Sequence, residues 1–155
     1  MCIRDSKKTC AYEVCSRVPL LVRGPGVRPG VVEGLVGNID FAPTIADYAE
    51  IKTGKPVDGR SIRPVLEGRK KSVNDAVLLR RAQGQGERIF WGLRTPRYKY
   101  VHYTRTEEKE LYDLRRDPDE LFNLMSTRRL HWKQKAAKLE RQLNKMRKVK
   151  PKVRR

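Results

Sequence analysis

Few residues in this chain are equipped for chemistry. His102 alternates with tyrosines in Tyr98-Lys-Tyr-Val-His-Tyr103, where an imidazole is expected to be structural; His131 lies in a basic helical stretch and is expected at a surface. No serine or cysteine stands at motif spacing from a histidine and an acid, and no His/Asp/Glu cluster has metal-ligand spacing. Gly24-Pro25-Gly26 reads as a turn, since the lysine and Ser/Thr of a phosphate loop are absent. Cys2, Cys10 and Cys15 fit neither a zinc pattern nor a CxxC redox motif. They read as free thiols; a Cys10–Cys15 disulfide would need a tight turn.

The elements that must position these residues fall into two kinds. Residues 18–22 form an apolar run of strand length interrupted by Pro19, and Gly24, Pro25, Gly26, Pro29 and Gly30 then break regular structure. Residues 31–39 carry the chain back. Asp40 is placed to cap the next helix, with Pro43 tolerable in its first turn. An apolar strand, a long loop and a capped helix predict one edge of an α/β sheet. Residues 56–60 are a turn, Ser61 caps a brief helix containing Pro64, Gly68 ends it, and residues 69–71 are a basic loop.

After this point the pattern changes. Residues 76–79, 88–93, 98–103 and 110–114 are short strand candidates, with Gly84 and Gly86 in one turn and Thr95-Pro96-Arg97 in another, which predicts an antiparallel meander. In residues 98–103, Tyr98, Tyr100 and His102 share one face, and Lys99, Val101 and Tyr103 the other. Asp117-Pro118-Asp119-Glu120 starts a turn or short helix. Ser126 or Thr127 is placed to cap a long helix whose Trp132, Ala136, Leu139, Leu143 and Met146 make one apolar stripe.

Length and charge narrow the class. With 155 residues, 38% hydrophobic and 35% charged, the chain suits one ordinary domain or parts of two, with a modest core. No run approaches ~18 apolar residues, so no membrane span is expected, and no secretory apolar region is visible. The net charge of +18 is uneven: residues 128–155 hold thirteen Lys/Arg against one Glu, leaving +6 for the first 127. The charge therefore argues for a basic tail, not for a nucleic-acid-binding fold. Residues 1–6, MCIRDS, back-translate to the end of a common sequencing-library adapter, so they are set aside, and the reading frame is expected to begin inside a gene.

Several segments, in order, resemble the type I sulfatases, formylglycine-dependent arylsulfatase-like enzymes. Lys8, then Tyr12-Glu13 and Arg17-Val-Pro-Leu20, resembles the late part of the catalytic domain. Asn38-Ile-Asp-Phe-Ala-Pro-Thr-Ile45, and Asp58-Gly-Arg-Ser-Ile62 with Leu66-Glu-Gly68, resemble the next two landmarks. Arg97-Tyr-Lys-Tyr-Val101, Glu110-Leu-Tyr-Asp-Leu114, Asp117-Pro-Asp-Glu120 and Asn123-Leu124 resemble the C-terminal sub-domain. The resemblance implies an α/β, alkaline-phosphatase-like edge segment followed by an α+β C-terminal sub-domain: a small antiparallel sheet with a long C-terminal helix. The boundaries that follow are 7–71 for the end of the catalytic domain, 72–126 for the antiparallel sub-domain, 127–148 for the basic amphipathic helix and 149–155 for a disordered tail.

The resemblance also implies hydrolysis of sulfate esters on a small molecule or carbohydrate, with calcium and a formylglycine made from a C/S-x-P-x-R motif. That motif is absent here, Cys15 being followed by Ser-Arg-Val, and the family's metal ligands and catalytic histidines belong to earlier segments. This sequence is therefore expected to be inactive as a fragment and to need the missing N-terminal part of its own chain. Lys8 is the one position carried over, as the lysine that contacts the substrate's sulfate; Tyr12 and Glu13 position its loop, and Arg17 is structural. The family is mostly secreted, periplasmic or lysosomal. A second reading, from another class, is a basic polyanion-binding module acting on nucleic acid, membrane surface or sulfated polysaccharide through the tail.

Overall fold

The computed structural model describes residues 10–81 and 89–148. Lys8, the 1–6 segment, the Gly84/Gly86 turn and the 149–155 tail lie outside the described residues. The described residues form two compact units, one built from residues 10–19 and 78–148, the other from 20–77.

The first unit is a four-stranded sheet in the order β1-β2-β3-β4, from Val77–Arg81, Phe90–Arg94, Tyr98–Tyr103 and Lys109–Asp113. β2 pairs antiparallel with β3, Trp91 opposite His102 and Leu93 opposite Tyr100; β3 pairs antiparallel with β4, Tyr100 opposite Leu111. The meander expected from the sequence is present, each strand within about two residues of its predicted span. Thr95 makes the tight turn by bonding Tyr98 through both its N–H and its hydroxyl, at 2.9 Å each.

Because side chains alternate across a strand, the sheet has two distinct faces. One carries Leu93, Tyr98, Tyr100 and Leu111. The helix α4 (Leu130–Arg147) covers it, burying Ala136, Leu139 and Leu143 and setting Trp132 edge-on to Tyr98. The expected stripe is therefore the packing face. Its start differs: the helix begins at Leu130 with Arg129 as N-cap and no capping side chain. Thr127 instead turns its hydroxyl back to Leu124 O at 2.8 Å, closing a short 3₁₀ turn at Leu124–Ser126. The opposite face carries Phe90, Val101 and Tyr103, on which Ala11 packs with Leu79 beside it.

The second unit has three helical pieces: a 3₁₀ turn (Asn38–Asp40), α2 (Phe41–Tyr48) and α3 (Arg63–Leu66). Residues 18–22, which cross from the first unit into the second, form no strand, and neither do residues 31–39. A strand is held by backbone hydrogen bonds to a neighbour, and no strand among the described residues pairs with either segment. The apolar side chains stay in solvent, Leu21 at 95% exposure.

Asp40 also departs from expectation. Its carboxylate does not cap α2. Buried at 1% exposure, it accepts from Gly37 N (2.9 Å), Arg60 N (2.8 Å) and Asn74 Nδ2 (2.8 Å), tying three loops together. The Thr44 hydroxyl donates to Asp40 O and accepts from Ile62 N, so α2 is joined to the start of α3. Gly59 is what lets the 56–60 turn come this close: a Cβ there would lie 1.9 Å from Ile39 O. Ile62, not Ser61, is the N-cap of α3, and no side chain caps it; Ser61, one residue earlier, accepts from Arg63 N (3.2 Å). Pro64 sits in the first turn and Gly68 at φ +71° ends α3, as the sequence predicts.

Two substitutions test this packing. Leu143→Ala should cost about 2–5 kcal/mol by leaving a cavity under α4. Gly59→Ala should cost about 1–3 kcal/mol or more, because the clash is with backbone that cannot swing aside. Urea unfolding followed by circular dichroism measures both; a loss under about 0.5 kcal/mol for either would contradict the packing described.

Candidate functional site

The segment just after Lys8 is held by three devices. Residues 12–17 form a single helical turn, α1 (Glu13–Ser16), in which Cys15 N and Ser16 N donate to Tyr12 O at 2.9 and 3.0 Å. That turn brings Cys10 and Cys15 together as a disulfide with a Cα–Cα distance of 5.8 Å. The reading of these cysteines as free thiols is therefore corrected: the helical turn supplies the tight bend the bridge needed. Ala11, inside the disulfide loop, is buried against Phe90, Val101 and Tyr103.

Beneath α1 lies a cluster of charges. Lys99, fully buried, places Nζ 2.8 Å from Glu13 Oε1 and 2.9 Å from Glu120 Oε1. Arg94 donates Nε and Nη2 to the two oxygens of Glu13 at 3.0 and 3.2 Å. Glu120 also accepts from Glu13 N. Its backbone sits at φ 57°, a left-handed conformation that non-glycine residues seldom adopt. The 117–122 turn holds it there, Asp117 accepting from Leu121 N (2.9 Å) and Phe122 N (2.8 Å). Burial opposes ionisation of Glu13, but the hydrogen bonds from Arg94 and Lys99 outweigh it and hold its carboxyl below the usual range.

A second carboxyl sits on the same face under different control. Glu110 accepts from Tyr12 Oη at 3.2 Å and from Tyr103 Oη at 3.4 Å. Burial pushes Glu110 above the ordinary carboxylate range, against the lowering effect of the Tyr12 hydroxyl. Tyr12 also meets Tyr112 edge-to-face at 6.1 Å. Tyr12 and Glu13 thus tie α1 to the sheet and to the 117–122 turn.

The other sequence candidates remain apart. His102 meets Glu107 at 2.9 Å near the end of β3; His131 is exposed against Trp132; Arg17 is exposed without a carboxylate partner among the described residues. Lys99, Arg94 and Glu120 escaped sequence reasoning. A signal was present: Lys99 alternates with Val101 and Tyr103, so a lysine occupied the apolar face of a strand and required a buried partner. Among the described residues no group of three His, Cys, Asp or Glu side chains converges as metal ligands. The described residues therefore offer calcium no ligand set.

Residues 6–149 match the family model described as N-sulphoglucosamine sulphohydrolase, C-terminal. The chain belongs to this sulfatase C-terminal family. It is 33% identical over 137 residues to the N-acetylglucosamine-6-O-sulfatase of Bacteroides thetaiotaomicron, covering 83% of this chain and 25% of that protein. A putative sulfatase structure from the same organism superposes with TM-score 0.67 at 27% identity, covering 84% of this chain and 31% of that one. A structure solved with its substrate D-glucosamine-2-N,6-O-disulfate superposes with TM-score 0.60 at 26% identity, covering 75% and 25%. The fold implied by the resemblance is the fold of these neighbours: an alkaline-phosphatase-like edge and a sub-domain of antiparallel sheet and long helix. The sulfatase match spans about a quarter of the length of the curated relatives it resembles.

The charge cluster makes two predictions. Lys99→Met should cost about 3–5 kcal/mol in urea melts, because Glu120 would be left buried without its cation and Glu13 with Arg94 alone. Glu13, with its pKa depressed by folding, contributes stability that is present above its ordinary value of 4.5 and lost as pH falls through the folded value. Thermal melts from pH 7 to pH 3 should show a falling midpoint, with a shallower fall in Glu13→Gln; identical slopes would contradict the pairing.

Proposed function

We propose that this chain is the C-terminal part of a sulfatase that hydrolyses sulfate esters of a small molecule or carbohydrate. The match of residues 6–149 to the sulfatase C-terminal family supports it most directly. One relative is named an N-acetylglucosamine-6-O-sulfatase, and one solved neighbour holds D-glucosamine-2-N,6-O-disulfate as its substrate. In this reading residues 7–71 end the catalytic domain, while 72–126 and the 127–148 helix form the sub-domain on which residues 10–19 ride. Formylglycine, calcium and the catalytic histidines belong to an N-terminal part of the protein that the 155 residues do not supply. The chain by itself is inactive.

Lys8 contributes electrostatics. A sulfuryl group in transfer spreads negative charge over its oxygens, and a compact ammonium aimed at them lowers the barrier. The disulfide, Ala11, and the Glu13–Lys99–Glu120 cluster fix the backbone that begins two residues after it. Tail-driven polyanion binding is the weaker account of this chain. The family match runs through α4, and α4 buries its apolar stripe on the sheet, so the basic helix is a structural element of the sub-domain.

The test is a chimera joining this chain to the N-terminal part of the Bacteroides N-acetylglucosamine-6-O-sulfatase, assayed for sulfate release. The chain alone should release none. The chimera should be active, and Lys8→Ala should lower kcat/KM ~10²–10³-fold, as removal of one such donor does. A folded chimera with no activity would refute the sulfatase reading, and an active one indifferent to Lys8→Ala would refute the role of Lys8.

A further inference from the structure

Away from the Lys8 loop, on the α4 side of the sheet, two guanidiniums converge on one indole. The Arg80 guanidinium, from β1, lies 4.5 Å from the Trp91 ring centroid, and that of Arg147, from the last turn of α4, lies 4.4 Å from it. The two cations are thus within about 9 Å of each other. Neither forms an ion pair among the described residues. The acids along this face are engaged elsewhere, Glu140 with Lys109 at 2.8 Å and Glu107 with His102. Asn144 steadies Arg147 by accepting from its Nη1 at 3.3 Å. Arg80 and Arg147 are exposed, and Trp91 is half-buried.

An anion beside Trp91 would be attracted by both guanidiniums at once. A cation–π contact holds each guanidinium in place while leaving N–H donors for another partner. Two preorganised guanidiniums suit a tetrahedral oxyanion, which accepts forked hydrogen bonds. We propose that Arg80, Trp91 and Arg147 form a binding site for a sulfate group, either on a sulfated saccharide or as free sulfate. The choice of sulfate rests on the sulfatase reading above; the anion site rests on the geometry alone.

The full chain, labelled with ¹⁵N, is titrated with glucosamine 6-sulfate, sodium sulfate and glucosamine at constant ionic strength in chloride. The indole N–H peak of Trp91, identified by Trp91→Phe, is followed. Saturable shifts with the two sulfated probes and none with glucosamine are expected. A preference for glucosamine 6-sulfate assigns the site to the saccharide, and equal affinity assigns it to the free ion. The variant R80Q/R147Q should weaken binding at least tenfold. K138Q/R141Q removes the same charge from the outer side of α4 and should change it less than twofold. Should R80Q/R147Q fail to fold, the single variant R80Q, on an exposed strand position, serves in its place. Equal weakening by both double variants, or no shift at Trp91 with either sulfated probe, would overturn the site. Such a failure would leave the sulfatase reading untouched, because that is read by turnover in the chimera.

Discussion

One lysine in the wrong kind of place organises the first unit. Lys99, the second residue of β3, points into a face otherwise lined by Phe90, Val101 and Tyr103, and it is wholly removed from water. A buried ammonium is tolerable only beside compensating carboxylates. One of these, Glu13, is the first residue of α1; the other, Glu120, comes from the turn after β4. Two distant stretches are thereby required to meet under the sheet. Buried pairs of this kind add little net stability over an apolar core but penalise every arrangement that leaves a charge unmatched. Glu120 accepts an unfavourable backbone conformation to take part.

The second unit uses the same logic with a different chemistry. Asp40 is a buried carboxylate whose partners are two backbone N–H groups and the amide of Asn74, so its charge is answered by hydrogen bonds. With few buried apolar side chains in residues 20–77, this polar hub, together with Thr44, determines how the loops run. The approach is possible only where Gly59 removes a Cβ.

The two faces of the sheet have separate tasks in the sulfatase reading. One is covered by α4, a basic helix whose charges lie outward and whose alanine and leucines face inward. The other carries α1 and the disulfide loop, and with them the backbone leading to Lys8. In the proposed reading the sub-domain supports the backbone that leads to Lys8.

Much of this was legible in the chain by itself. The meander, the Thr95 turn, the two faces of residues 98–103, the brief α3 and the stripe of α4 follow from local periodicity and turn chemistry, which act between near neighbours. The sulfatase landmarks were legible for the same reason, as short ordered motifs. What local rules could not supply were the partners. Residues 18–22 have strand composition, but a strand exists only when paired, and these are not. Asp40 stood where a helix cap belongs, yet its carboxylate turned to Arg60 and Asn74, twenty and thirty-four residues away. Cys10 and Cys15 needed the α1 turn to meet, and Lys99 needed Glu13 and Glu120. Each of these outcomes was decided by the tertiary structure, because a buried charge or an open hydrogen-bonding edge is satisfied by whatever the fold brings near it.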